Sequence, residues 1–333
     1  MNKRVTIKSI ANELGISHMT VSRALADSPK VKPDTKKLIQ EKAAEMGYIP
    51  NQAAVSIRGG RSGVVGLLIP NIENEFYAAI ANQMSIECAR HNLQLMIGLT
   101  QDDPQEEVSA ITRLLKHSAM SVVMVPTPNG SENAARLLSD VDTIQLIRTR
   151  QNIGESAEIV VNESNAFEEA VVTLTKAGCQ NIAYIGGPGD LSTGRIRLES
   201  TQSALKKQNL PLNEHLTKLG APSFELGLQA MNELLEMEET PDAVITAGFE
   251  ISNGALTACL EKGVCLPESM RFVGYGDPSW YQWVNSGIST ISISMQNIVD
   301  QCMTLLLDYQ SGQRIKSQST VYVEASLVRR HSA

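Results

Sequence analysis

The sequence predicts an α/β protein in two parts: an N-terminal all-α helix-turn-helix domain, and a larger body of two lobes, each a doubly wound parallel sheet. The first observation is that residues 6–47 carry apolar side chains at helical spacing, with one break at residues 27–29. The second is that, from Val64 onward, apolar runs of strand length alternate with helical periods, which is typical of doubly wound sheets. The third is the length of 333 residues, which exceeds one ordinary domain.

Residues 6–25 have the pattern of two short helices joined by a tight turn. The first helix runs from about Ile7 to Leu14 and ends at Gly15, because glycine accepts the backbone conformation of a sharp turn. Ser17 can cap a second helix of about His18 to Leu25, whose outer face is polar and small enough to enter the major groove of DNA. The residues that we expect to contact DNA here are Thr6, Ser17, His18, Met19, Thr20, Ser22 and Arg23.

A third helix follows a break in the pattern at residues 27–29. Its start is predicted at Lys32-Pro33-Asp34, since proline and an acidic residue favour the first helical turn, and Gly47 ends it. Its apolar stripe is predicted to comprise Leu38, Ile39, Lys42, Ala43 and Met46.

The charge of the chain is unevenly distributed. The first 60 residues hold ten of the 29 basic and five of the 36 acidic residues, so they carry a net charge of +5, whereas the remainder carries −12. Only the N-terminal part is therefore attractive to phosphate. The coincidence of this positive charge with the helix-turn-helix pattern favours double-stranded DNA as the partner.

Two stretches, VTIKSIANELGISHMTVSRAL and VKPDTKKLIQEKAAEMGYIPNQAAVSIRGGRSGVVGLLIP, resemble the lactose-repressor (LacI/GalR) family of bacterial transcription regulators. The likeness extends over nearly the whole chain, and TVSRAL together with GYIPN is specific; a generic three-helix bundle is the alternative for the N-terminus. The resemblance implies a homodimeric repressor of transcription that binds operator DNA. It also implies a body that resembles periplasmic sugar-binding proteins and responds allosterically to a small-molecule effector.

Residues 51–58 have a helical composition, but two turns are too few for a helix that is stable alone in water. The resemblance implies a hinge helix that folds on operator DNA and inserts an apolar side chain into the minor groove. The residues concerned are Asn51, Ala54, Ile57 and Arg58. A flexible linker that ends at Gly59-Gly60 is the alternative. The expected domains are residues 1–50, the hinge 51–60 and the body 61–333, with one lobe of about 61–161 plus 291–323 and another of 162–290 plus 324–333.

The body contains two series of alternating strands and helices. The predicted strands are VVGLLIP, LQLMIGL, SVVMVP, TIQLI, AEIVV, NIAYIG, AVITA, MRFVGYG and TVYVE. The predicted helices are residues 75–91, 104–118, 131–139, 164–177, 193–208, 223–237, 251–262 and 295–311. Because ligands of such sheets bind beyond the carboxyl ends of the strands, we expect an effector cleft between the lobes.

The loop GGPGDLSTGR, residues 186–195, superficially has the glycines of a phosphate-binding loop, but it lacks the following Lys-Ser/Thr. It precedes a helix, so Ser192, Thr193 and Arg197 are expected to point into the cleft near a positive helix terminus. The resemblance implies that Arg197 holds the effector and that Thr193 is a further contact. Plain helix capping is the alternative.

Two aromatic groups are candidates for covering the ligand. Phe76 and Tyr77 follow the first strand of the body, where a ligand-facing pair and a core pair are both open interpretations. Trp280 belongs to a second group with Tyr281 and Trp283, which interface packing explains about as well.

The sequence favours an anionic effector, a carboxylate-bearing sugar acid or another organic acid. Relatives that bind neutral sugars carry acidic residues where this chain has Arg148 and Gly276, with Asp277 one place later. Two guanidiniums, Arg148 and Arg197, without local carboxylates would repel each other unless an anion bridged them. The alternative is that Arg148 pairs with Glu163 or Glu250 and that the ligand is neutral.

No catalytic or metal-binding constellation is evident, and no cofactor is expected. The five histidines lie far apart, and the five cysteines are scattered without C-x-x-C spacing, as is typical of reduced thiols in a cytoplasmic protein. Acid pairs such as Asp102-Asp103 are most simply solvated charge. Because no signal sequence or apolar run of membrane-spanning length is evident, we expect no membrane association. The alternative function is a solute-binding protein or a sugar-processing enzyme with the same two-lobed body.

Overall fold

The computed structural model describes residues 5–25, 27–48, 63–211, 213–311 and 319–333. The chain forms two compact units, residues 1–62 and 63–333, and each is described by itself. The predicted hinge, residues 51–60, lies outside the described residues, and so do its expected DNA contacts Asn51, Ala54, Ile57 and Arg58.

The N-terminal unit contains three helices: α1 (Ile7–Leu14), α2 (His18–Leu25) and α3 (Pro33–Glu45). Thr6 caps α1, because its hydroxyl accepts a hydrogen bond from the Ser9 N–H at 3.2 Å, and Gly15 ends the helix with φ of 64°. The Ser17 hydroxyl accepts from the Thr20 N–H at 3.0 Å and so caps α2 as predicted. Residues next to the helices in the sequence thus fix both ends of α1 and the start of α2.

The core of this unit lies where the three helices meet. Ile10, Val21, Ala24 and Ile39 are fully buried there. The prediction that Leu38 belongs to the buried stripe of α3 is wrong, since its side chain is 54% exposed. Successive side chains of a helix point about 100° apart. Because the Ile39 side chain faces the core, that of Leu38 faces solvent.

The body contains eleven strands among the described residues. They are β1 (Val64–Ile69), β2 (Gln94–Leu99), β3 (Ser121–Met124), β4 (Asp142–Leu146), β5 (Ser156–Asn162), β6 (Ile182–Gly186), β7 (Thr217–Leu219), β8 (Ala243–Ala247), β9 (Arg271–Tyr275), β10 (Ser289–Ile293) and β11 (Thr320–Val328). The order is β2-β1-β3-β4-β5-β11 in the first lobe and β11-β10-β9-β8-β6-β7 in the second. All pairs are parallel except β10 with β11, so the architecture is the predicted pair of doubly wound sheets.

Helices alternate with these strands along the chain. They are α4 (Glu75–Arg90), α5 (Pro104–Lys116), α6 (Glu132–Leu138), α7 (Ser164–Lys176), α8 (Ser192–Lys207), α9 (Phe224–Leu235), α10 (Phe249–Glu261) and α11 (Met295–Ser311). Apolar clusters fill the space between the helices and the sheets, with Phe167, Tyr184 and Phe272 among the fully buried side chains. None of these helices is long and apolar enough to cross a membrane.

The strand β11 joins the lobes. Its residues 320–324 pair with β5, whereas residues 325–328 pair with β10. Residues 291–293, predicted in the first lobe, lie instead in β10 of the second sheet, and Glu324 pairs with Asn162 of the first. The sequence did not predict β10, because its segment STISI is rich in serine and is not a continuous apolar run. It did not predict β7, because that strand has only three residues.

The five cysteines carry free thiols in the structure. Cys88, Cys179, Cys259 and Cys302 are buried, and Cys265 is exposed. Burial raises the pKa of the Cys88 thiol to about 11 and that of the Cys302 thiol to about 12. Because the thiolate is the reactive form, these two groups act as core side chains.

Candidate nucleic-acid interface and ligand cleft

Helix α2 carries five of the side chains that were predicted to contact DNA: His18, Met19, Thr20, Ser22 and Arg23. Met19 is 53% exposed, although its side chain is apolar, while Val21 and Ala24 on the opposite face are fully buried. An exposed methionine between polar neighbours is available to a thymine methyl group in a groove. Of the other predicted contacts, Thr6, Ser17, His18 and Arg23 are exposed, and Thr20 and Ser22 are half-buried.

The two lobes of the body enclose a cleft at the carboxyl ends of their strands. A cavity of about 90 Å³ there is lined by residues that follow β1, β2, β4, β6, β8 and β9. Five of the predicted effector residues line it: Phe76, Tyr77, Arg148, Thr193 and Arg197. A second cavity of about 310 Å³ adjoins the first, since Phe76, Phe249, Gly276 and Ile293 line both.

Arg197 is held by a dense set of hydrogen bonds. Its Nε and Nη2 donate to the two carboxylate oxygens of Glu163 at 2.6 and 2.9 Å, and its Nη1 donates to the Ala247 carbonyl at 3.0 Å. Nη2 also donates to the Tyr275 hydroxyl at 2.5 Å, and that hydroxyl donates to Glu163. Burial lowers the pKa of the guanidinium, but the charge and hydrogen bonds of Glu163, together with Tyr275 and Tyr184, outweigh burial, and the pKa is raised. Arg197 is therefore a fixed cation beside the cavity.

Arg148 follows an unusual backbone turn. Ile147 has φ of 66°, and the Arg148 N–H donates to the Leu146 carbonyl at 2.7 Å, which closes a γ-turn at a β-branched residue. This strained turn directs the Arg148 side chain into the cleft, where Nη1 donates to Asp102 Oδ1 at 2.6 Å. Burial lowers the pKa of Arg148, whereas Tyr77 and Asp102 raise it and prevail.

These contacts overturn the premise of the predicted anionic site. Each guanidinium has a carboxylate partner, and the partner of Arg148 is Asp102 rather than Glu163 or Glu250. The interpretation of Asp102 as solvated charge is also wrong, because it lines the cavity and orients Arg148. Asp103 caps α5 by accepting from the Gln105 and Glu106 N–H groups.

Three predicted effector residues lie outside the smaller cavity. The Ser192 hydroxyl accepts from the Thr149 N–H at 3.1 Å, so it links the second lobe to the loop after β4 of the first. Asp277 lines only the larger cavity and pairs with Arg330 at 2.8 Å. The Trp280 ring packs edge to face against buried Tyr281, with centroids 4.6 Å apart, and is partly buried against the core of the second lobe.

The aromatic lining includes one ring, that of Phe249, which the sequence did not predict. Phe76 and Tyr77 pack edge to face with centroids 5.6 Å apart, and Tyr77 is buried. Phe249 follows β8, and its ring occupies the space beside Gly276, where a Cβ atom would lie 2.5 Å from it. The rule that ligands bind beyond the carboxyl ends of strands was a signal that could have identified Phe249.

Comparison with known proteins matches both parts of the chain. The family described as "Bacterial regulatory proteins, lacI family" matches residues 6–51, and the "Periplasmic binding protein-like domain" matches residues 171–333. The chain belongs to the lacI family. Its relatives include catabolite control protein A of Priestia megaterium, 23% identical over 94% of this chain and 95% of the relative. Another is the HTH-type transcriptional repressor PurR of Haemophilus influenzae, 26% identical over 98% of both chains.

Solved structures share the fold of this lacI-family chain. The lac repressor dimer bound to operator and the anti-inducer ONPF has a TM-score of 0.82 at 21% identity and covers 99% of both chains. The lac repressor bound to ONPG has a TM-score of 0.84, with 99% of this chain and 100% of that chain covered. The chain is a DNA-binding transcription regulator and not an enzyme, as its relatives are transcription repressors. Among the residues that the structure describes, no group of three or more His, Cys, Asp or Glu side chains could hold a metal ion.

Proposed function

We propose that this lacI-family protein represses transcription as a homodimer on operator DNA and that a small metabolite in the cleft controls its operator affinity. The cleft supports this proposal most directly, because it places two buried, oriented guanidiniums and an aromatic pair around one cavity between two lobes. A ligand that touches both lobes favours one angle between them. In the proposed dimer, that angle sets the spacing of the two 51–58 segments and hence their folding on DNA, which is a population shift.

The first test concerns the DNA contacts. Arg23 is exposed on α2, and a guanidinium can donate two hydrogen bonds to one guanine. We expect Arg23→Ala to weaken operator binding by roughly 1–3 kcal/mol and to relax the preference at one base pair. Selection of operator sites from a randomised library measures both effects. Lys30→Ala is the matched control, as it removes a charge outside α2; unchanged site selection by Arg23→Ala would contradict the assignment.

The chemistry of the cleft favours an effector without a carboxylate. Arg148 and Arg197 are each neutralised by a carboxylate, and Glu250 adds a further acidic group to the lining. A free acid would therefore place another negative charge beside Asp102 and Glu250. Hydroxyl groups can accept from the N–H groups of Arg148 that Asp102 does not occupy and donate to Asp102 itself. We therefore propose a small polyhydroxylated metabolite in place of the predicted sugar acid.

Matched ligands separate these two possibilities. Calorimetric titration of the full-length protein with aldoses and their aldonic acids measures the affinity for each ligand. Operator binding in the presence of each ligand measures whether that ligand changes the affinity for DNA. We expect an aldose to bind more tightly than its acid and to change operator affinity, and Arg148→Gln to weaken that binding. Tighter binding of the acid would restore the anionic interpretation. If no small molecule that binds the cleft changes operator affinity, the proposed control is wrong.

A further inference from the structure

Two glutamate–phenylalanine pairs lie on opposite lobes of the cleft. Glu75 and Phe76 begin α4 in the first lobe, and Phe249 and Glu250 begin α10 in the second. Phe76 and Phe249 line both cavities, so the two cavities border each other at these residues, and we call this border the passage. Glu250 lines the smaller cavity and Glu75 lines the larger one. A carboxylate therefore stands on each side of an aromatic passage.

These two carboxylates have no cationic partner among the described residues. The arginines of the cavity are already committed, Arg148 to Asp102 and Arg197 to Glu163. Neither Glu75 nor Glu250 forms an ion pair or a side-chain hydrogen bond within the described part of the chain. Glu75 is exposed and Glu250 is half-buried, so the passage is a place where two aromatic rings and two carboxylates without a cationic partner coincide.

The carboxylates also act on each other across the cleft. Burial raises the pKa of Glu250, and the negative charges of Glu75, Glu225 and Glu73 raise it further. Glu73 and Glu75 belong to the first lobe, whereas Glu225 and Glu250 begin helices of the second. Like charges from two lobes that approach each other disfavour closure unless a cation lies between them.

We propose that this passage holds a cationic amino group of the effector, so that the effector is a hydroxylated amine such as an amino sugar. An ammonium group donates three hydrogen bonds, which suits two carboxylates, and its charge is attracted to the faces of aromatic rings. Its hydroxyl-bearing part then occupies the smaller cavity beside Arg148 and Asp102. The inference rests on the proposed function of the cleft, and it specifies that the effector carries a positive charge.

The two arginines give this ligand an orientation. Guanidiniums repel an ammonium group, so the amine is excluded from the end of the smaller cavity that Arg148 and Arg197 line. The acidic passage lies at the border of the two cavities, and the hydroxyl groups face the arginines. Neutralising the passage also relieves the repulsion between the lobes, and so binding of the amine promotes closure.

The test uses three forms of the same hexose: the parent sugar, the 2-amino-2-deoxy sugar and its N-acetyl derivative. Calorimetric titration of the full-length protein with the gluco, galacto and manno series at neutral pH covers the stereochemistry. In at least one series we expect the amine to bind about tenfold more tightly than both neutral forms. The N-acetyl derivative keeps the nitrogen but removes its charge, and the comparison therefore isolates the cation.

Variants assign the effect to the passage. Glu250→Gln and Glu75→Gln should each lower the ratio of the affinity for the amine to the affinity for the parent sugar from about ten to about one. Glu73→Gln is the matched control, because Glu73 contributes charge but lines neither cavity. It should reduce the preference for the amine by a smaller factor, and added salt should abolish that smaller effect.

The outcomes distinguish this inference from the function on which it rests. A neutral sugar or an acid that binds the cleft and changes operator affinity, with no preference for the amine, overturns the inference and leaves the proposed function intact. A preference for the amine that survives both glutamine substitutions places the cation elsewhere and also overturns it. If no member of any series binds the cleft or changes operator affinity, this inference and the proposed polyhydroxylated effector both fail.

Discussion

Replacing Glu163 by alanine is expected to lower the free energy of unfolding by roughly 3–5 kcal/mol. The reason is the partner that this substitution leaves behind. Arg197 is only 8% exposed, and two of its hydrogen bonds end on the Glu163 carboxylate. The Tyr275 hydroxyl, which is also buried, donates to the same carboxylate. Removing this acceptor leaves a buried cation without its counter-charge and a buried hydroxyl without its acceptor.

Urea unfolding followed by tryptophan fluorescence measures this loss. Both tryptophans, Trp280 and Trp283, belong to the second lobe, which also contains Arg197 and Tyr275. Glu163→Gln keeps the shape of the side chain and one acceptor oxygen, so it should lower the free energy of unfolding less than Glu163→Ala does. Glu168→Ala, which breaks the exposed pair with Lys207, is the control and should cost less than about 1 kcal/mol. If Glu163→Ala and Glu168→Ala lowered the free energy of unfolding equally, the buried pair of Glu163 and Arg197 would contribute no more to stability than the exposed pair.

The same pair shows which part of the site the sequence could not predict. Arg197 was identified because it opens a helix after a strand, and that position depends only on local order. Its partner Glu163 lies 34 residues earlier, and Asp102 lies 46 residues before Arg148. Contacts at such separations depend on how the lobes fold, and no spacing rule encodes them. The expected anion follows from this gap, because the sequence alone does not show which carboxylate pairs with either arginine.

Local chemistry explains what the sequence did predict. Thr6, Gly15 and Ser17 set the helix ends in the N-terminal unit, and the first two helices have the predicted bounds. The strands with strongly apolar sequences were identified, whereas the polar β10 was not. Trp280 shows a different difficulty: an aromatic residue at the end of a strand can face a ligand or the core, and only tertiary packing decides between them.

Replacing Gly254 by alanine is expected to destabilise the second lobe by roughly 3 kcal/mol, since overpacking of a close contact forces backbones apart. Gly227 of α9 and Gly254 of α10 allow these helices to touch through their backbones. A Cβ atom at Gly254 would lie 2.0 Å from the Phe224 carbonyl oxygen, and one at Gly227 would lie 2.0 Å from the Ile251 carbonyl oxygen. Backbone atoms cannot rotate away as a side chain does, and the helices must therefore separate.

The separation also reaches the cleft, because α10 begins with Phe249 and its ring packs against Gly276. We therefore expect Gly254→Ala to weaken effector binding as well as to lower the urea midpoint of the tryptophan signal. Gly189→Ala is the matched control: no atom lies within 4 Å of a Cβ there, and its cost should stay within about 0.5 kcal/mol. If Gly254→Ala matched this control in stability and in effector affinity, α9 and α10 would tolerate separation, and their close contact would not position Phe249.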